Sequence, residues 1–105
     1  MTQIELKASR ARLLARRGSQ DEAESLACEA AAEADASEYR MTFFFAHLAL
    51  GDVLRQAGRF AEAAQEWRIV IAAETARGNR LFVTRLKTEL EALEAQAQAE
   101  VASSD

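Results

Sequence analysis

Apolar residues recur three and four positions apart through five stretches of the chain, the spacing of amphipathic α-helices. The first stretch, over about 4–17, carries Ile4, Ala8, Ala11, Leu14 and Ala15, and Gly18 ends it. Ser19 followed by Glu22 predicts a capping box for a second helix over about 20–35, with Ala23, Leu26, Ala27, Ala30 and Ala34 on one stripe. Ser37 is expected to cap a third, from about Glu38 to Ala57, with Tyr39, Phe43, Ala46, Leu50, Val53 and Leu54 inward. Phe43, Phe44 and Phe45 are consecutive there, and successive helical residues point about 100° apart. The third helix must therefore be contacted on more than one side.

After Gly58 a fourth helix is expected from Arg59, carrying Phe60, Ala63, Ala64, Trp67, Val70 and Ile71 and ending at Gly78-Asn79. A fifth follows from about Arg80, with Phe82, Leu86, Leu90, Leu93 and Ala97 in register. Its charges run Arg80, Arg85, Lys87 and then Glu89, Glu91, Glu94, the reverse of what a helix dipole favours. A neighbouring surface is expected to dictate that order. The tail over 99–105 is expected to fray.

Composition narrows the class to all-α. The 105 residues contain no proline and four glycines, and of the hydrophobic half, 24 are alanine, which suits thin, closely approaching helices. A net charge of -4 argues against nucleic acid as a partner. Cys28 is the only cysteine, so no internal disulfide or multi-cysteine metal site exists, and a small buried or half-buried thiol is expected in a reducing cytoplasm. The N-terminal segment lacks the uninterrupted apolar core of a secretory signal, and Met41 to Gly51 is too short to span a bilayer. Seven acidic and no basic residues lie between Asp21 and Glu38, whereas the first helix holds five basic ones. Antiparallel neighbours with complementary rims explain this more simply than an acidic docking face.

Shifting the chain by 40 residues superposes Gly18 on Gly58, Glu22-Ala23 on Glu62-Ala63 and Leu14 on Leu54. Periods of that order mark stacked helical hairpins. The densest stretch, Leu50-Gly51, Gly58, Ala63 and Trp67, resembles the tetratricopeptide repeat: Leu-Gly in one helix, Gly at the turn, Ala early in the next helix and an aromatic four residues later. Ala11, Gly18, Ala23 and Ala30 match in part, while Arg10 and Ala27 depart from the pattern. The period exceeds the family's usual one and looks like the extended variant in C-terminal regions of large bacterial multidomain signalling ATPases and transcriptional regulators.

The resemblance implies a single domain over 1–105 of antiparallel hairpins in a right-handed superhelix. Repeat one covers about 4–36, repeat two about 38–78, and a capping helix about 80–98, two and a half repeats in all. Gly51 and Ala63 are expected to face each other where the central helices cross. Glu91 stands where Gly51 and Ala11 do in the earlier copies, which marks the fifth helix as a cap, whereas Ile4, Leu6 and Leu13 leave the first helix able to pack on a preceding element.

No catalytic constellation stands out, and neither an enzymatic activity nor a metal or cofactor is expected. His47 is the only histidine and falls on a position that normally holds a packed aromatic, so a structural role is expected for it. In the family, ligands lie along the concave surface built by the first helix of each repeat. Carried onto this chain, that position nominates Glu5, Arg12 and Arg16, then Phe45, Leu48, Asp52 and Arg55, then Arg85 and Thr88. Four arginines converging over a floor of Phe45 and Leu48 would suit an acidic peptide or a terminal carboxylate. The alternative is four unrelated solvated arginines. The expected function is therefore a cytoplasmic, regulatory protein-interaction module, the rival readings being a self-associating homodimeric domain and a sensor of small anions.

Overall fold

A computed structural model describes residues 2–103. Five α-helices follow one another: α1 (Gln3–Arg16), α2 (Gln20–Asp35), α3 (Arg40–Gln56), α4 (Phe60–Ala76) and α5 (Arg80–Ser103). No strand occurs among the described residues, so the all-α class stands. No described helix is long and apolar enough to cross a membrane. The helix α5 continues through Ser103, five residues past its expected end at 98. Residues 104 and 105 of the expected tail lie outside the described part.

Three of the four connections share one construction. At each, a glycine with positive φ follows the helix: Gly18 (φ 86°), Gly58 (79°) and Gly78 (78°). The amide after each glycine donates to the carbonyl five residues back, Ser19 to Leu14, Arg59 to Leu54 and Asn79 to Glu74. The glycine's own amide donates to the carbonyl three residues back, as in Gly58 to Arg55, which completes a Schellman motif. The fourth connection, 36–39, has no glycine. Ser37 there accepts from the Tyr39 amide, so it shapes the turn and leaves α3 to start at Arg40, later than expected. Ser19 sits at the N-cap of α2 without a side-chain cap bond, contrary to the expected capping box. A capping box forms instead at the start of α1, between Thr2 and Glu5.

The core is thin, as the alanine content requires. Of the side chains sealed from solvent, the largest are Val53 and Val70. One cluster joins Ala11, Ala15, Ala23 and Ala27 of the first hairpin to Leu50, Val53, Leu54, Ala63 and Trp67, and extends to Leu86 and Leu93 of α5. A second small cluster of Ala8, Ala30, Ala34, Ala46 and Ala49 seals the other end of the α1–α2–α3 contact. The molecule measures 44 × 34 × 18 Å with a radius of gyration of 13.8 Å. A compact chain of this length has about 13 Å, so the helices form a flattened stack.

The crossing of α3 and α4 is tight at Gly51, but its partner differs from expectation. A Cβ at Gly51 would lie 2.3 Å from Trp67 Cζ3 and 2.7 Å from Cε3, with Glu66 Cβ next at 3.3 Å. The indole, not Ala63, fills the space left by the missing side chain. Residues equidistant from a turn oppose each other in an antiparallel hairpin, and Gly51, seven residues before Gly58, has its counterpart at about 65, beside Glu66 and Trp67. Ala63 is fully buried one turn away.

The three phenylalanines do face three ways. Phe43 packs at 44° on the His47 ring of its own helix, 4.4 Å between centroids. Phe44 meets Phe82 of α5 edge-on at 4.8 Å. Phe45 lies under the Arg12 guanidinium of α1 at 5.3 Å.

Helix α3 approaches α1, α2 and α4 closely, but the α5 backbone approaches α4 alone: no α-carbon of α5 comes within 8 Å of one in α3 among the described residues, although Phe82 reaches Phe44. The approach of α1 to α3 is thus not repeated between α3 and α5. The connections differ in the same way: α4 reaches α5 through the same glycine turn that closes each hairpin, whereas the 36–39 link has no glycine. Two of the late acidic residues of α5 are engaged by α4. Glu89 accepts from Trp67 Nε1 at 3.3 Å and Glu94 pairs with Arg68 at 2.8 Å. Cys28, expected to be at least half-buried, is exposed on α2, in a hollow it shares with Glu24 and Arg59. Partial burial and the carboxylate of Glu24 nonetheless push its thiol up. Iodoacetamide is expected to label Cys28 in the folded chain, slowly at neutral pH and faster as pH rises. Labelling that waits for denaturant would contradict its placement.

Candidate functional site

The parallel pair α1 and α3 gathers most of the residues nominated from the sequence. Positions 5, 12 and 16 share one face of α1, and 41, 45, 48, 52 and 55 share one face of α3, spaced by three, four or seven residues. Asp52 holds the two helices together: its Oδ2 takes Arg12 Nη2 at 3.1 Å and its Oδ1 takes Arg55 Nη2 at 2.8 Å. Arg12 also stacks over Phe45, and its Nε is a buried donor without an acceptor among the described residues. Asp52 thus meets only part of the guanidinium's demand for acceptors. Arg12 is therefore a positioning group, fixed by a carboxylate on one side and a ring below. Arg16 and Arg55 remain exposed beside it, and the Arg55 side chain keeps 49% of its surface.

Other nominated residues stand apart from this arrangement. Glu5 accepts from the Thr2 amide at 2.9 Å, a bond that holds its carboxyl below the ordinary range, so it serves the start of α1. Arg85 and Thr88 are exposed on α5, whose backbone stays away from α3, and the Thr88 hydroxyl donates to the Thr84 carbonyl. Phe82 of α5 does reach α3, against Phe44. Of the four nominated arginines, Arg12 and Arg55 share Asp52, Arg16 lies along α1, and Arg85 stands on α5, whose backbone does not approach α3. Phe45 and Leu48 are half-buried and supply the expected apolar floor, with Met41 (63% exposed) at its open end.

A second cluster was only half legible in the sequence. His47 is buried, as a packed aromatic would be, but both its ring nitrogens face carboxylates: Nδ1 lies 2.7 Å from Glu66 Oε1 and Nε2 2.7 Å from Asp35 Oδ1. A neutral imidazole has one N–H and satisfies one of these acceptors, whereas an imidazolium satisfies both. Burial works against the charge, yet the hydrogen bonds to Glu66 and Asp35 outweigh it and raise the ring's pKa above its ordinary value. The result is a clasp joining α2, α3 and α4, in which protonation of the ring satisfies both carboxylates. No motif reveals it, because Asp35 and Glu66 come from two other helices. Glu74, also buried, receives Arg77 and Asn79 at the α4–α5 turn, a structural role of the same kind.

Among the described residues no group of three His, Cys, Asp or Glu side chains is disposed to hold a metal ion. What the α1–α3 face can do is present exposed guanidinium donors and half-buried aromatic surface, in fixed relation, to another molecule. No protein-family model, curated protein or solved structure matches this chain.

Proposed function

We propose that the chain is a non-catalytic protein-interaction module of tetratricopeptide-like build, its hairpins wound as a right-handed superhelix, that docks an acidic segment of a partner across the α1–α3 face. The observation that carries this reading is Asp52 locking Arg12 over Phe45 while leaving Arg16 and Arg55 exposed beside them. Ordering such side chains beforehand lowers the entropy that binding must overcome. Three guanidinium groups stand there against Asp52 and the cap-bound Glu5, so cations predominate locally in a chain of net charge -4. Carboxylates pair with the free edges of Arg16 and Arg55, and an apolar side chain of the partner covers Phe45, Leu48 and Met41.

The test is fluorescence anisotropy with a labelled peptide of alternating glutamate and leucine, beside its lysine-leucine counterpart. The acidic peptide is expected to bind and the basic one to fail. Arg16→Glu with Arg55→Glu should weaken binding at least tenfold, about 1.4 kcal/mol, without loss of helicity. Equal binding of both peptides, or indifference to the two substitutions, would remove the groove from the account.

A further inference from the structure

We infer that the outer face of the first hairpin is a self-complementary surface that pairs two copies of this chain. This surface lies on a different side of α1 from the Arg12 face. Two adjoining hollows mark it. One, of about 480 Å³, is lined by Arg10, Leu14, Glu22, Ser25, Leu26 and Glu29, between α1 and α2. The other, of about 360 Å³, is lined by Leu6, Ser9, Arg10 and Leu13, and Arg10 is common to both. Leu6 and Leu13 stand 59% and 46% exposed, two helical turns apart on one face.

The charges of this face are opposite and unspent. The complementary rims expected of α1 and α2 are realised by Lys7, which bonds Glu29 and Glu33. Arg10 on α1 and Arg17 at its C-cap, and Asp21 and Glu22 on α2, take part in no ion pair among the described residues. One half of the patch is thus basic, the other acidic, with Leu14 and Leu26 between them.

A surface of that pattern fits itself. A two-fold axis running parallel to the helices and between them lays α1 of one copy over α2 of the other at the same level. Arg10, Glu22 and Leu26 share one hollow, so that operation sets Arg10 of each copy opposite Glu22 of the other, twice, around the leucines. Pairing α1 on α1 would instead bring Arg10 against Arg10, because it lies midway between Leu6 and Leu13. Charge therefore selects the first arrangement over the second.

Sedimentation velocity over a concentration series of the purified chain tests this. The mass is expected to rise from 11.5 kDa towards twice that value. Arg10→Glu alone and Glu22→Arg alone should each shift the series to monomer, and the two together should restore the dimer, with circular dichroism unchanged throughout. High salt should weaken the dimer as it screens the pairs. A monomer at every concentration overturns the proposal and leaves this face to a different partner. A dimer that ignores Arg10→Glu also overturns it, since another surface must then be responsible.

Discussion

Gly51→Ala is expected to cost about 3 kcal/mol, the upper end for forcing a methyl group into a packed crossing. The new Cβ would sit 2.3 Å from the Trp67 ring, so either the indole leaves its rotamer or α3 and α4 separate. Neither is free to yield, because Trp67 is 5% exposed, shares the main cluster with Leu50 and Ala63, and donates its Nε1–H to Glu89 on α5. A domain of this size has a total stability on the order of 5–10 kcal/mol, so the loss is a large fraction of it. Trp67 is the only tryptophan, and its emission in a urea titration reports on this crossing directly. Trp67→Leu made together with Gly51→Ala should cost less than the sum of the two single changes, since the smaller side chain removes the clash. A loss below about 0.5 kcal/mol for Gly51→Ala, the range of an ordinary surface change, would mean the helices do not approach there.

His47→Ala should cost a comparable amount, about 3 kcal/mol, because it leaves the mostly buried Glu66 carboxylate facing a void. Asp35 is more exposed and contributes less, since water replaces its partner. The clasp also fixes a pH dependence. The folded-state pKa of His47 is raised above its ordinary value of 6.5 by the Glu66 and Asp35 hydrogen bonds, which prevail over burial. The stability it supplies is complete below the unfolded value and is lost as pH rises through the folded one. Melting temperature should therefore decline as pH rises above the ordinary histidine value of about 6.5, whereas His47→Ala should flatten that decline. The charged groups facing the ring are Asp35 from α2 and Glu66 from α4; Lys7 of α1 is engaged by Glu29 and Glu33. A wild-type melting temperature that stays flat with pH would show that the ring's pKa is not raised on folding, and one that climbs with pH would show that the ring is held neutral.

The helices were readable because their apolar spacing and the glycines at 18, 58 and 78 are local signals. Gly51 was readable as a close contact, but its partner was misplaced: counting from Gly58 gives a position near 65, and the family pattern drew attention to Ala63 instead. The placement of α5 was obscured by the 40-residue period, which aligns Arg80 with Arg40 and hides the fact that Gly78 makes the α4–α5 link a hairpin turn. The acidic order of α5 and the surroundings of His47 depend on residues of other helices, which single-helix periodicity does not report. Among the nominated groove residues, those on α1 and α3 that share Asp52 were found together. Arg85 and Thr88 were carried in by a register that assumed α5 would approach α3 as α3 approaches α1.

Nitrogen-15 chemical-shift mapping on titration with the glutamate-leucine peptide addresses the proposed docking face most directly. Amides of Arg16, Met41, Leu48, Asp52 and Arg55 should move together and saturate, while those of α2 and the outer side of α4 stay in place. Shifts confined to α2 or α4, or no saturable shift, would contradict the assignment of the α1–α3 face as the docking surface.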